Sequence, residues 1–348
     1  MTELMHHPKL RQIARDLELP ASDDALRDLR EHAVERVRDM VEGWTLDTVE
    51  ELRLRVADQL SVKLVFIASD DDVYRIAAEF PQYKLRHLSL RRVLEKEFIT
   101  GDTEGLLLDN PSPVKGSRRY LALIDARGAR AARAYFTAWH ELSHLLLCPP
   151  RQRVFDGFRR SPNEVQRRKD PLESAVDHIA GLLAFWEPIF KPALIGTADK
   201  NLTFGAVEGA AELVAPGASL YAASLAATRV WDDAAVFVTG EEATKTDGSG
   251  LALRLQTVIP NDLARRLDID VRRSMRVPAA SALWRAFYET PGTECAANED
   301  QSTWEVAGRG NLPKLPWGVQ AIRRGGAVYG ILKPSLKRIP RRFASSMN

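Results

Sequence analysis

Apolar residues along the chain follow two rhythms, and the change falls near residue 232. Before it, helical spacing dominates. Residues 1–60 read as helices punctuated at "LPASDDALRDL" and "EGWTLDTVEEL", where a Ser or Thr precedes an acidic first turn, the arrangement that satisfies free backbone N–H groups at a helix start. "SVKLVFIAS" (61–69) is short, apolar and β-branched, which predicts a strand. A helical stretch follows near 71–98. "EGLLLDN" and "RYLALIDA" then predict two strands joined by the turn-rich "PSPVKGS". The next helix begins near Ala129 and must stop at "CPP" (148–150), because proline cannot continue it.

The segment 151–170 is basic and lacks periodicity, which predicts a surface loop with at most one helical turn. "PLESAVDHIAGLLAF" restores helical spacing with proline at its start. A further helix over 206–230 is divided by "APGAS". Past residue 232, "AAVFVTG", "LALRLQTVIP", "TWEVAG", "GVQAIRR" and "AVYGILKP" read as strands, with "AASALWRAFYET" a helix among them. The whole predicts an α+β protein whose C-terminal part is a separate α+β domain.

Composition narrows the class. A chain of 348 residues predicts two or three domains. Lys+Arg (49) nearly balance Asp+Glu (47), so no overall field dictates a polyanionic partner. The two cysteines, Cys148 and Cys295, are far apart and form no CxxC, which excludes a disulfide framework and fits a reducing cytoplasm. The N-terminus has no apolar signal core, and no run is long enough to span a membrane. A soluble, cytoplasmic protein is expected.

The chemistry concentrates in "YFTAWHELSHLLL" (135–147). Helical spacing puts His140 and His144 on one face, where two imidazoles can converge on one ion. Glu141 points about a third of a turn away. It can reach a water on the ion without ligating it, as a general base requires. A core helix whose histidines only hydrogen-bond is the plainer reading. A third ligand separates the two, since catalytic zinc takes three protein ligands and leaves one position open. "ESAVD" on the next helix offers Glu173 as that ligand. Asp177, four residues on, can hold the free N–H of a ligating histidine. An acid amid Val176, Ile179 and Ala180 needs a partner. For the oxyanion of a tetrahedral intermediate, Tyr135, His178 or an arginine from 151–169 could donate. Zinc suits the set best, although manganese or iron could occupy the same ligands.

These residues resemble the ImmA/IrrE metallopeptidases. The resemblance rests on "RAYFTAWHELSHLLL", where Arg133, Phe136 and Thr137 precede the HExxH as in that family, and on "ESAVDHIAGLLAF". It covers roughly residues 45–190. Departures are Ser143 for a common glycine, Val176 for alanine, Ile179 for phenylalanine and "AFWEP" for "LLMP"; none touches a proposed ligand. The resemblance implies a compact zincin-like fold and a bacterial cytoplasmic protease. The expected substrate is a helix-turn-helix repressor, whose cleavage derepresses stress-response or mobile-element and defence genes. The expected layout is an N-terminal helical segment (1–45), a zincin-like domain (46–195), a helix-turn-helix-like linker (196–231) and a GAF-like α+β sensor domain with a basic tail (232–348). That last domain would take a small-molecule or other signal ligand.

The rival expectation is a ligand-sensing or DNA-associated regulator with a structural or vestigial metal site. Its support is the basic C-terminus, where Arg309, Lys314, Arg323, Arg324, Lys333, Lys337, Arg338, Arg341 and Arg342 follow Glu305 with no further acid. Such a tail could contact phosphates. An intact Glu141 beside both histidines weighs against a purely structural metal, which needs no base.

Overall fold

The computed structural model describes residues 2–85, 88–110, 113, 116–147, 158–160, 170–244, 250–267, 269–305, 312 and 314–335. They form a mixed α+β chain in two compact units: residues 1–190 with 213–219, and residues 191–212 with 220–348.

Unit 1 begins with four helices, α1 (Thr2–Met5), α2 (Pro8–Asp16), α3 (Ala25–Met40) and α4 (Val49–Gln59). Helix α4 starts at a full capping box, Thr48 with Glu51, as the sequence predicts. β1 (Val62–Ile67) follows, then α5 (Asp70–Glu79), the short β2 (Lys84–Leu85) and β3 (Leu88–Ser89), and α6 (Leu90–Leu94), which continues as one π turn over Glu95–Ile99. The single helical stretch expected near 71–98 is therefore broken. Pro81 disfavours helical geometry at Phe80, which leaves the helix with φ −121° and ψ 47°.

β4 (Gly105–Asp109) and β5 (Tyr120–Asp125) are the two strands read from "EGLLLDN" and "RYLALIDA". After α7 (Ala131–Leu146) come β6 (Phe158–Arg160) and α8 (Pro171–Leu183). The sheet runs β1-β5-β4-β6, with β1 parallel to β5 and the other pairs antiparallel. β6 corrects the expectation of an unstructured loop over 151–170: its three residues pair with Gly105–Leu107. The rest of that segment up to residue 169 lies outside the described residues.

The sheet is covered on both faces, which explains why β4 and β5 read as continuous apolar runs. Leu106, Leu108, Leu121 and Leu123 pack with Val73, Ile76, Val93 and Phe98 on one side. Gly105, Leu107, Ala122 and Ile124 alternate to the other, where Ile124 meets Ala134 and Ala138 of α7. Every residue of α7 from Thr137 onward is buried. A helix that is apolar nearly all round belongs in an interior. Each fully buried leucine there, such as Leu142 or Leu146, contributes roughly 1.5–3 kcal/mol.

In unit 2, α9 (Glu187–Thr197, whose first residues belong to unit 1), α10 (Phe204–Val214) and α11 (Leu220–Val230) precede the sheet strands β7 (Val236–Thr244) and β8 (Leu251–Pro260). The helices α12 (Asp262–Arg266) and α13 (Ala282–Tyr288) lead to β9 (Cys295–Asp300), β10 (Pro316–Arg324) and β11 (Ala327–Pro334). The order β8-β7-β11-β10-β9 is antiparallel throughout. Its core holds Leu283, Ala286 and Phe287 of α13 with Trp304 and Trp317, whose rings meet edge to face at 5.2 Å. Gly330 lets β11 approach α13: a Cβ there would lie 2.7 Å from Val238 and 2.8 Å from Leu283. Of "TWEVAG", expected as a strand, residues 306–308 lie outside the described residues and the first three form no strand. Gln301–Thr303 form a 3₁₀ turn and Glu305 makes only an isolated bridge to Arg276. The tail from residue 336, with Lys337, Arg338, Arg341 and Arg342, lies outside the described residues, as does Arg309.

Candidate metal centre

The helix that carries the two histidines is fixed at both ends. Its start follows the end of β5, where Asp125 accepts from the Arg127 backbone N–H at 3.0 Å, from Arg127 Nε at 2.9 Å and from Arg127 Nη2 at 2.7 Å. Arg130 adds a further short ion pair to the same carboxylate. Burial alone would raise the Asp125 pKa, but these donors outweigh it and hold the carboxyl below its ordinary value. At the other end, Arg36 of α3 donates to the carbonyls of Leu145 at 3.1 Å and Leu146 at 2.9 Å. A cation there satisfies carbonyls that have no partner within the helix and complements its dipole.

On α7 the imidazoles of His140 and His144 are almost fully buried, and their Nε2 atoms approach to 3.1 Å. Glu173 of α8 closes the triangle, with Oε2 3.1 Å from His140 Nε2 and Oε1 3.6 Å from His144 Nε2. Two bonds of ~2.0–2.1 Å meeting at a tetrahedral angle place ligand atoms about 3.3 Å apart, so the set fits a zinc-sized ion. Among the described residues, His140, His144 and Glu173 form the group of donors able to share one ion. Asp177 Oδ1 lies 3.0 Å from His140 Nδ1. With an ion on Nε2, Nδ1 would carry the proton and donate to this carboxylate, which can only accept. Helix α8 presents both acids because Pro171 and the Asp170 cap, which accepts from Leu172 N at 2.9 Å, set its start. The acids are about a quarter exposed while the histidines are not, so the site opens on the α8 side.

Glu141, next to His140 on α7, is fully buried. Its carboxylate lies against β4 at Gly105, where a Cβ would overlap Oε1 and also press on Thr137 Cγ2. The neighbouring Glu104 is gripped by Arg133 of α7 at 2.6 Å.

Two sequence candidates are placed elsewhere. Tyr135 is not a donor into the site: its buried hydroxyl donates to the Ala184 carbonyl at 2.6 Å, clamping α7 to the end of α8. Burial pushes its pKa far up, so it stays a neutral donor. His178 is exposed on α8 and stands outside the donor cluster. The arginines of 151–169 lie outside the described side chains. Sequence reasoning missed Gly105, Arg36 and Asp125. The signal for Gly105 was a glycine opening an apolar strand, where a backbone is often closely approached.

No protein-family model matches the sequence, and no curated protein matches it. Among solved structures, a Mycobacterium tuberculosis transcriptional regulator is similar at a TM-score of 0.43 and 10% identity, over 96% of this chain and 82% of that one. Among the described residues no single helix is long and apolar enough to cross a membrane.

Proposed function

We propose that this chain is a zinc-dependent metallopeptidase of the HExxH class. Within that class it is placed among proteins similar to ImmA/IrrE, by the two helix motifs that carry the resemblance. The observation that supports the reading most is the convergence of His140 Nε2, His144 Nε2 and the Glu173 carboxylate, with Asp177 on the far nitrogen of His140.

His140, His144 and Glu173 would hold the ion, and Asp177 would fix the ring that binds it. When bound, zinc would acidify a water and polarise the scissile carbonyl. Glu141 takes the proton of the attacking water and returns it to the leaving amine. Its burial keeps bulk water from competing for that proton. The closed, apolar surroundings of α7 strengthen each of these electrostatic contacts.

The proposed substrate is a helix-turn-helix repressor in the cytoplasm, on the strength of the resemblance. Unit 2 would act as the sensor. Five antiparallel strands in the order second, first, fifth, fourth, third, with α12 and α13 inserted after the second, support a GAF-like module. Incubating the zinc-loaded protein with a repressor encoded beside it tests the reading. Fragments are expected from the wild type and none after chelation or with Glu141→Gln. Intact repressor in every arm overturns the substrate assignment, and inertness toward unfolded peptides as well overturns the peptidase.

A further inference from the structure

We propose that Gly105 is a positioning residue for Glu141, and that β4 is shaped around the carboxylate of the base. This rests on the metallopeptidase reading for its catalytic consequence, though not for its geometry.

Arg133, Thr137 and Glu141 recur every four residues and so line one face of α7. That face meets the start of β4, at Gly105 and the residue before it. Arg133 grips the buried Glu104 carboxylate at 2.6 Å, while Thr137 and Glu141 both occupy the space a side chain at Gly105 would need. His140 and His144 lie on the adjoining face, toward Glu173 and Asp177. The helix thus divides its work: one face carries the ligands and the other seats the base against the strand. Gly105 pairs with Ile124, and α7 packs over this side of the sheet. Any residue with a Cβ at 105 must expel the Glu141 carboxylate or push α7 off β4. Its backbone φ is not in the left-handed region, so the glycine is required by space and not by conformation. The strand and helix are locked at two successive residues, which holds a buried carboxylate in one orientation.

Gly105→Ala therefore displaces the base and leaves the ligand face in place. Expected are one bound zinc per chain with unchanged affinity, a kcat lower by roughly 100-fold as for an ångström-scale misplacement, and KM within a few-fold of wild type. A stability cycle gives a readout independent of activity. Gly105→Ala should lower Tm by several degrees in the wild type and by less than half as much in a Glu141→Ala background, where the overlapping oxygen is gone. Equal Tm losses in both backgrounds, or an unchanged kcat, overturn the proposal. Should Gly105→Ala fail to fold, Arg133→Ala loosens the same lock without adding atoms. It should lower kcat while zinc binding persists, and an unchanged kcat again overturns the role. Wild-type protein that hydrolyses no peptide refutes the peptidase reading, while the stability cycle still decides whether Gly105 seats Glu141.

Discussion

The two units bury different things. Among the described residues, the buried Arg, Asp, Glu and His side chains, Arg53, Glu97, Glu104, Asp125, His140, Glu141 and His144, all belong to unit 1. The buried polar groups of unit 2, such as Thr239, Asn261, Ser281 and Gln301, are neutral. Its core is otherwise aliphatic and aromatic, centred on Trp304 and Trp317. Burying a charge is costly unless it is paired, and breaking such a pair costs more than never having it. Unit 1 therefore accepts more of this penalty than unit 2, where Glu299 is only partly buried. The penalty falls along α7 and the strand ends that hold it, where the proposed chemistry lies.

The largest contrast should come from matched cavities. Leu142→Ala in α7 and Leu283→Ala in α13 each remove a fully buried leucine, and each should cost about 2–5 kcal/mol. Zinc affinity should fall only with the first, because of these two helices α7 carries ligands and α13 carries none. Equal effects on zinc would merge the two units functionally. Asp177→Ala comes next: it should weaken zinc about 10–100-fold through loss of the His140 tether, while the hydrogen exchange of β10 stays as in wild type. Zinc affinity within two-fold of wild type would remove Asp177 from the site.

The smallest effects are in pH, and their signs oppose. Asp125 titrates below its ordinary value when folded, because Arg127 and Arg130 outweigh its burial. Its contribution is present above the unfolded pKa and is lost as pH falls through the folded one. Amide protection of α7 should thus decline below about pH 4, and Asp125→Asn should remove that decline. Glu299 of unit 2 is raised by burial, against donors from Ala282 N, Ser281 Oγ and Trp304 Nε1. Its contribution is complete below the unfolded pKa and is lost as pH rises through the folded one. Protection of β9 should therefore decline on going up from about pH 4.5, a decline that Glu299→Gln flattens. The same sign in both units would contradict the contrast.

How much of this was legible in the sequence follows from the range of each interaction. His140 and His144 share one helix, with Glu141 a third of a turn away, and Glu173 and Asp177 share the next, so helical spacing alone brings each pair to a face and sets Glu141 beside the first. Caps at Thr48 and Pro171 are equally local. Gly105 and Arg36 act on residues 36 and 109 positions away; the glycine opening a strand signals a close approach but not by what, and nothing local marks Arg36. β9, "CAANED", escaped because it is an edge strand whose inward face is small, with only Cys295 and Ala297 as apolar residues on the core. α9 escaped because Pro192 lies inside it, where proline ordinarily ends a helix. The α+β class survived these misses, since it depends on the overall alternation of rhythms and not on any one element.

The account turns on one division of labour, with His140 a ligand and Glu141 a base. Calorimetric titration of zinc into metal-stripped wild type, His140→Ala and Glu141→Gln tests it directly. The account predicts one tight site in the wild type, the same site in Glu141→Gln, and none of comparable affinity in His140→Ala. A wild type that takes up no zinc, or a Glu141→Gln protein that loses it as fully as His140→Ala, would contradict it.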